Sequence, residues 1–321
     1  MKEAIFVKQN IDKWKEFEES LSSNTKIEPD RLADLFIQIT DDLSFSRTQY
    51  PKSETTVYLN QIASKAHGQI YKNKKEDKKR FITFWKYELP QLYYSAHKQL
   101  LYSFLIFIVA ALIGCVSVLN DETFVRLILG DSYVNMTLEN IKDNNPLAVY
   151  GKSGEADMFF MITFNNIRVS FMAFAAGILL SVGTGYLLFS NGLMVGAFLT
   201  FLAKEGFLAH SLLVVMLHGT LELSAIVIAG SAGFLMGNSI LFPKTYSRIE
   251  SFKKGAKNGL KIIVGLIPVF IMAGFIESFL TRYTKMHWSI QLILIGLSAS
   301  FIIYYFIIYP IQLNRNATKT N

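Results

Sequence analysis

The sequence predicts an all-α integral membrane protein with about six transmembrane helices and an N-terminal cytoplasmic helical domain. Of its 321 residues 51% are hydrophobic, and the mean hydropathy of +0.30 is too high for a water-soluble domain. The charges are uneven, because residues 1–98 carry 17 Lys/Arg and 14 Asp/Glu while the remaining 223 residues carry 15 and 11. We therefore expect the first part in water and most of the second part in a membrane.

Residues 1–75 are predicted to form a small bundle of three helices. The middle helix begins near Pro29, and its apolar residues recur at the spacing of one helical face. These residues are Leu32, Leu35, Phe36, Ile39 and Leu43. The flanking segments repeat the spacing at Trp14, Phe17, Leu21 and at Leu59, Ile62, Ala66, Ile70. Three apolar faces of this kind can cover one another in a common core.

Residues 76–98 are predicted to form an amphipathic helix at the membrane surface. A basic run from Lys72 to Arg80 precedes the aromatic residues Phe81, Phe84 and Trp85. Basic residues followed by aromatic anchors are typical of a helix that lies at the headgroups, and Pro90 is expected to bend it. The alternative is a solvated linker followed by a fourth helix of the N-terminal bundle.

Residues 99–313 are predicted to contain the membrane spans, and residues 314–321 a cytoplasmic tail. No charge interrupts Val169 to Ala203, which is too long for one span, so we predict a turn at Asn191-Gly192. The glycines of Gly230–Gly237 are predicted to interrupt the fourth span before Pro243. The predicted spans are 100–119, 165–189, 193–208, 210–230, 262–280 and 289–309, with an extracytoplasmic loop at 120–157.

The distribution of Lys and Arg predicts the orientation of these spans. The loop 120–157 holds three basic residues, whereas the connection between the fourth and fifth spans is rich in lysine from Lys244 to Lys261. By the positive-inside rule the former is external and the latter cytoplasmic. Six crossings then place both termini in the cytoplasm.

Composition also argues against several classes of function. Cys115 is the only cysteine, which excludes an intramolecular disulfide and a cysteine-based zinc site. The first twenty residues are rich in Lys and Glu, so no cleavable signal peptide is expected. The net charge of +7 is assigned to membrane-flanking loops that meet lipid, not to nucleic-acid binding, because no recognition motif accompanies it. No cofactor is predicted.

Polar residues inside the apolar half form the candidate site. They are Asn165, Asn166, Arg168, Asn191, His218, Glu222 and Glu277. Ionisable groups in hydrocarbon are costly unless they are paired or hydrated, so we predict one buried cluster in the outer half of the bilayer. His218 and Glu222 share a helical face because they are four residues apart.

Three interpretations of this cluster remain open from the residues. The first is a structural network of ion pairs between Arg168 and Glu222 or Glu277. The second is a metal site formed by His218, Glu222 and Glu277. The third is a polar path for a proton, an ion or a lipid headgroup. No serine is spaced from His218 as a nucleophile would be, so no catalytic residue is predicted.

Small residues in the predicted spans indicate close helix packing. The candidate packing glycines are Gly177, Gly183, Gly192, Gly196, Gly219, Gly230 and Gly233. Such residues let helix backbones approach each other, either within one chain or across a homodimer.

Several motifs resemble the stage II sporulation protein M family of bacterial membrane proteins. They include Phe164-Asn-Asn-Ile-Arg-Val169, Asn191-Gly-Leu-Met-Val-Gly196, His218-Gly-Thr-Leu-Glu222 and Ile276-Glu-Ser-Phe279, with shorter pieces such as Tyr50-Pro51 in the N-terminal part. The resemblance implies a polytopic protein that assembles with two peptidoglycan-degrading partners during engulfment of the forespore. Other relatives are associated with AAA+ ATPases and von Willebrand A domain proteins.

The leading hypothesis is therefore a membrane scaffold of an envelope-remodelling or stress-related complex, and enzymatic activity is not expected. One alternative is a transporter of a lipid, an ion or a proton along the polar cluster. The other is a membrane-embedded, metal-dependent hydrolase that uses His218, Glu222 and Glu277.

Overall fold

The computed structural model describes residues 2–22, 29–70, 80–142, 154–281 and 286–319. Within these ranges every regular element is a helix. The chain divides into two compact units, Met1–Arg80 and Phe81–Asn321. Most of the basic run from Lys72 to Arg80 lies outside the described residues.

The first unit is a bundle of three helices, α1 (Glu3–Ser22), α2 (Pro29–Gln49) and α3 (Glu54–Ile70). The apolar faces that the sequence predicts meet in one core. Its fully buried members are Trp14, Phe17, Leu35, Ile39, Leu59 and Ala66. The proline at the start of α2 is tolerated there because the first helical residues have no intrahelical N–H bond to lose.

Polar contacts fix the order of the three helices at the edge of this core. Trp14 Nε1 donates to Asp42 Oδ2 over 2.7 Å, which joins α1 to α2, and Lys13 Nζ lies 2.6 Å from the same carboxylate oxygen. The hydroxyl of Tyr58 in α3 donates to Glu18 Oε2 at 2.8 Å. Burial and this hydrogen bond to Glu18 raise the pKa of Tyr58 to about 12.

The second unit begins with a segment that packs on the long helices of the same unit. It comprises α4 (Arg80–Thr83), a π-helical turn (Phe84–Glu88) and α5 (Leu89–Ser95). Leu89 and Tyr93 are buried in the main core, and Lys261 Nζ lies 3.0 Å from Glu88 Oε2. The second half of the segment predicted as an interfacial helix over 76–98 therefore packs on the main core through Leu89, Tyr93 and Ala96, and its place at the membrane surface stays a prediction.

Within the described ranges, six helices of the second unit are long and apolar enough to cross a membrane. They are His97–Asn120 (α6), Glu155–Ile178, Val182–Lys204 (α10), Leu208–Leu241 (α11), Arg248–Leu280 and Trp288–Asn316. The second comprises α9 (Glu155–Ala175) and a short 3₁₀ turn, and the fifth comprises α12 (Arg248–Phe275) and a π-helical turn (Ile276–Leu280). The last comprises α13 (Trp288–Ile303), a π-helical turn (Tyr304–Ile308) and α14 (Tyr309–Lys319). The predicted all-α membrane fold is confirmed.

The predicted turn at Asn191-Gly192 is wrong, because both residues lie in the middle of α10. The chain reverses at Leu179–Ser181 instead, where Leu180 and Ser181 have φ values of 51° and 71°. Asn191 Nδ2 donates to the carbonyl of Leu187 in the same helix over 2.8 Å. Gly192 serves helix packing, since a Cβ atom there would overlap the carbonyl of Phe107.

The predicted interruption of the fourth span at Gly230–Gly237 is also wrong. Helix α11 continues through these glycines to Leu241 and ends just before Pro243. A Cβ atom at Gly233 would overlap the hydroxyl of Thr184, and one at Gly237 would overlap that of Ser181. The glycines therefore admit neighbouring helices and do not break their own.

The segment predicted as the loop 120–157 contains two helices, α7 (Glu122–Leu129) and α8 (Asp131–Lys142), before residues 143–153, which lie outside the description. Asp121 caps α7 by accepting from the backbone N–H of Thr123 at 2.8 Å. Lys204 Nζ lies 2.9 Å from Glu122 Oε1 and joins α7 to the end of α10.

Candidate functional site

The candidate site lies where α9, α11 and the end of α12 meet. Helix α11 provides His218 and Glu222 one turn apart on the same face. The π-helical turn that follows α12 provides Glu277, and its wider turn closes with the bond from Thr281 N to Ile276 O at 2.9 Å. Single π-helical turns of this kind occur frequently at functional sites.

Three ionisable side chains converge at this point. One ligand-type atom from each of His218, Glu222 and Glu277 lies within 4.8 Å of the other two. His218 Nε2 and Glu277 Oε1 are 3.7 Å apart. His218 is 5% exposed and Glu277 9% exposed, while Glu222 is partly buried. His218, Glu222 and Glu277, the three residues of the metal interpretation, are therefore neighbours in the structure.

The hydroxyl of Thr281 sets the orientation of the imidazole. Its oxygen lies 3.4 Å from His218 Nδ1 and 3.2 Å from the carbonyl oxygen of Ile276. A hydroxyl has one hydrogen, which the carbonyl receives, so the oxygen can accept from Nδ1–H in the tautomer that carries its proton there. The neutral imidazole then carries its lone pair on Nε2, the atom that faces Glu277.

Helix α9 contributes a polar face to the same region. The amide of Asn166, which is 4% exposed, lies beside Glu222, and its Nδ2 atom has no hydrogen bond of ordinary geometry. Thr163 and Ser170, one turn away on either side, are also buried with unpartnered hydroxyls. Buried polar atoms without partners are uncommon in proteins, so this face is suited to hold water or a ligand.

The structure does not bring together all seven predicted residues. Arg168 and Asn165 are exposed on the opposite side of α9 from Asn166, and Asn191 bonds within α10. The prediction of a buried cluster that includes Arg168 and Asn165 is therefore wrong. The physical reason is the helical repeat, because Arg168 is rotated by about 200° and Asn165 by about 100° from Asn166, which faces the bundle.

Most of the predicted packing glycines do contact other helices. At Gly177, Gly183, Gly192, Gly196, Gly230 and Gly233 a Cβ atom would lie closer than 3 Å to the rest of this chain. At Gly219 the nearest atoms are side chains of its own helix at 3.8 Å. The structure therefore assigns six of the seven to packing within one chain and leaves Gly219 without that role.

Sequence reasoning missed Thr281 and the hydroxyls of Thr163 and Ser170 as members of the site. Each was signalled by helical spacing: Thr281 follows Glu277 by four residues, and Thr163 and Ser170 flank Asn166 by three and four. Hydroxyl residues are common in apolar helices, so spacing alone does not distinguish these from others.

The chemistry open to this arrangement follows from its charges. Among the residues that the structure describes, no lysine or arginine forms a salt bridge with Glu222 or Glu277. Two carboxylates and one imidazole can bind a cation or exchange protons.

Comparison with known proteins identifies the family. A family model described as Stage II sporulation protein M matches residues 103–282, which include every residue of the candidate site. A second model, described as a domain of unknown function (DUF8413), matches residues 4–72, the bundle α1–α3. No curated protein and no solved structure matches the chain. Because the first match covers more than half of the sequence, the chain belongs to the stage II sporulation protein M family.

Proposed function

We propose that this protein is a membrane scaffold that holds partner proteins of an envelope-remodelling complex in the bacterial inner membrane. The observation that carries the proposal is the exposure of Arg168 on a membrane-spanning helix. Arg168 lies 13 residues after the start of α9, about 20 Å along its axis and near the middle of that span. It forms no hydrogen bond or ion pair with any residue that the structure describes.

The surroundings of Arg168 form a continuous face, which we call the α9 outer face. Its exposed residues are Met161, Phe164, Asn165, Arg168, Phe171 and Met172. They recur every three or four residues, as positions on one side of a helix do. The face is therefore an apolar stripe with one amide and one cation at its centre, which is the composition of a helix-docking surface.

The free-energy cost of placing the Arg168 cation in lipid indicates whether this face contacts lipid or protein. A single arginine at the centre of a membrane helix costs roughly 2.5–3.5 kcal/mol on insertion scales when lipid surrounds it. A carboxylate on a partner helix removes most of that cost by pairing with the guanidinium. We therefore expect the partner to present an Asp or Glu within a membrane span, surrounded by apolar side chains.

A second copy of this chain is a poorer neighbour for the same face. Two-fold symmetry places the same patch of each subunit against the other, so the two Arg168 side chains would approach each other. Like charges in a medium of low dielectric repel strongly. The α9 outer face thus favours a different protein over the homodimer. A membrane-anchored peptidoglycan hydrolase, as the family resemblance implies, is the partner we propose, with AAA+ ATPases and von Willebrand A proteins as the other class.

The proposed orientation places both termini in the cytoplasm. The lysine-rich start of α12 and the basic residues before α6 then lie on the cytoplasmic side, and α7 and α8 lie outside. In that orientation the first unit is available to cytoplasmic partners, while the α9 outer face is available to partners in the membrane.

Photo-crosslinking tests the scaffold proposal. A benzophenone amino acid replaces Phe164 on the α9 outer face, or Leu297, which is equally exposed on α13, as the control. We expect the reagent at position 164 to crosslink to one membrane-anchored partner, and the reagent at position 297 to give no such crosslink. Arg168→Leu should abolish the crosslink from position 164, whereas Arg168→Lys should retain it. Exchange of the charges, with Arg168→Glu and a lysine in the partner, should restore the crosslink.

Two results would overturn the scaffold proposal. One is a crosslink only to a second copy of this chain. The other is equal labelling of lipid from Phe164 and Leu297, with no effect of Arg168→Leu on the proteins recovered.

Transport of an ion is a second candidate function, favoured by the unpartnered polar atoms on the inner face of α9 beside Glu222. A polar path through a membrane protein needs such groups along its length. It predicts that Glu222→Gln stops a cation flux in reconstituted vesicles, whereas Arg168→Gln, on the outer face, leaves the flux unchanged. Wild-type vesicles without any flux above empty ones would remove this candidate.

A further inference from the structure

We propose that His218, Glu222 and Glu277 bind one divalent transition-metal ion, of which Zn²⁺ fits the donor set best. This inference does not depend on the scaffold role. It rests on the distances between the three side chains, on the direction of the imidazole lone pair and on the balance of buried charge.

The distances between the three ligand atoms are slightly longer than those of a metal-bound site. Three ligand atoms about 2 Å from one ion in tetrahedral geometry lie about 3.3 Å from each other. His218 Nε2 and Glu277 Oε1 are 3.7 Å apart, and Glu222 brings the third atom within 4.8 Å of both. The proposal requires rotation about the side-chain bonds of the two glutamates to cover the remaining distance.

The orientation of His218 is the second argument. In the tautomer whose Nδ1–H donates to Thr281, Nε2 presents a lone pair to a carboxylate oxygen of Glu277. Two lone pairs that face each other repel, and a cation between them turns the repulsion into two bonds. Metal-binding histidines commonly hold the second ring nitrogen in a hydrogen bond of this kind, which fixes the tautomer and the direction of the ring.

The buried charge is the third argument. Two carboxylates buried side by side can both be ionised only if a cation neutralises them, and no lysine or arginine of the described ranges pairs with either. A divalent cation with a neutral imidazole brings the net charge of the site to zero. The pairing of Glu277 with a protonated His218 would leave Glu222 without a counter-ion.

Asn166 supports the same arrangement from α9. A carboxylate that binds an ion through one oxygen keeps its second oxygen free to accept a hydrogen bond. The Nδ2 atom of Asn166 is buried beside Glu222 and makes no hydrogen bond of ordinary geometry in the absence of an ion. It is therefore placed to donate to Glu222 and to hold that carboxylate toward the ion.

The donor set selects the class of metal. Mg²⁺ and Ca²⁺ prefer six or more oxygen ligands, whereas imidazole nitrogen with carboxylate oxygen is a common set for Zn²⁺. Three protein ligands leave a fourth position for water or for a polar group of another molecule. The site lies within a membrane-spanning region, so such a molecule would approach along α9 or from the lipid.

Elemental analysis of the full-length protein tests this proposal. The chain is purified in mild detergent through a tag without histidine and without chelators, incubated with Zn²⁺ and freed of excess ion by gel filtration. We expect about one zinc per chain in the wild type and less than about a tenth of an equivalent in His218→Asn, Glu222→Gln and Glu277→Gln. Glu88→Gln is the matched control, since Glu88 is partly buried in a salt bridge with Lys261 away from the site.

Cobalt provides a readout that needs no variant. Co²⁺ in a tetrahedral site of nitrogen and oxygen ligands has visible absorption, which we expect in the wild type and expect Zn²⁺ to remove by displacement. The proposal is overturned if the monodisperse wild type binds less than about a tenth of an equivalent of either ion. It is equally overturned if folded Glu277→Gln binds as much ion as the wild type.

Thr281 is proposed as a positioning residue. Its substitution distinguishes a role in orienting the His218 imidazole from a role in packing alone. Thr281→Val keeps the shape but cannot accept the Nδ1 proton, so we expect affinity for Zn²⁺ to fall about 10- to 100-fold. Thr281→Ser should restore the affinity. Equal affinities of the three proteins would show that the hydroxyl does not orient the imidazole.

Discussion

Gly196 in α10 lies so close to Ala111 in α6 that a Cβ atom at position 196 would overlap the Ala111 carbonyl group. Gly192, one turn earlier, meets the carbonyl of Phe107 in the same way. The two helices therefore pack backbone against backbone along one side. Contacts of this kind depend on van der Waals attraction between closely matched surfaces, because lipid removes most of the hydrophobic advantage of burial in a membrane.

Gly196→Ala is expected to destabilise the protein by about 1–3 kcal/mol, because the added methyl group forces α6 and α10 apart. Gly185→Ala is the control, since nothing lies within 4 Å of a Cβ atom at that position of α10. Alanine is the better helix former, so the control should be neutral or more stable by up to about 1 kcal/mol. Reversible unfolding in detergent measures both, and equal stability of the two variants would contradict the close packing.

The core of the first unit predicts opposite outcomes for two isoleucines of α2. Ile39 is fully buried, whereas Ile37 is 58% exposed. Ile39→Ala should cost about 2–5 kcal/mol through lost burial and the cavity that remains. Ile37→Ala should stay within about 0.5 kcal/mol of the wild type. Hydrogen exchange of α1–α3 in the full chain reports the change, and similar exchange in both variants would disprove this register of α2.

The start of α7 should depend on pH through Asp121. Hydrogen bonds from the Thr123 hydroxyl and backbone N–H lower the pKa of Asp121 from its ordinary value of 3.8. The folded state thus favours the ionised carboxylate, so the capping contribution is present above that value and is lost as the pH falls through the lowered pKa.

The measurement is the protection of α7 amides from hydrogen exchange at neutral and acid pH. We expect the α7 amides of the wild type to lose protection in acid. Asp121→Asn should keep its protection at both pH values, because its cap does not titrate, and Asp121→Ala should be weakly protected at both pH values. A wild type and Asp121→Asn with the same pH profile would exclude Asp121 as the titrating cap.

The proposed orientation predicts which positions a reagent outside the cell can reach. In a Cys115→Ala background, Ser132→Cys in α8 should react with a membrane-impermeant maleimide on intact cells. Lys253→Cys near the start of α12 should react only after the membrane is opened. Both residues are exposed. The reverse pattern would invert the orientation and place the first unit outside.

The membrane helices could be predicted from the sequence because long apolar runs without charge are rare outside membrane spans. The convergence of His218 with Glu222 was also predictable, since it depends only on helical spacing. The side of α9 that faces the bundle was not, because its two faces are almost equally apolar and Arg168 and Asn166 differ by two positions. The hairpin at Leu179–Ser181 carries no glycine or proline, and the glycines nearby serve packing.

Helix α11 is 34 residues long and therefore extends about 51 Å, against about 30 Å for the hydrocarbon core of a bilayer. An upright helix of this length would project about 14 residues into the headgroups and water, and tilt reduces that number. The neighbouring start of α12 carries Lys253, Lys254 and Lys257 on its exposed surface. With both termini in the cytoplasm, as proposed above, we expect the α11–α12 hairpin to extend beyond the lipid as a positively charged stalk, whose protruding length varies with the thickness of the surrounding membrane.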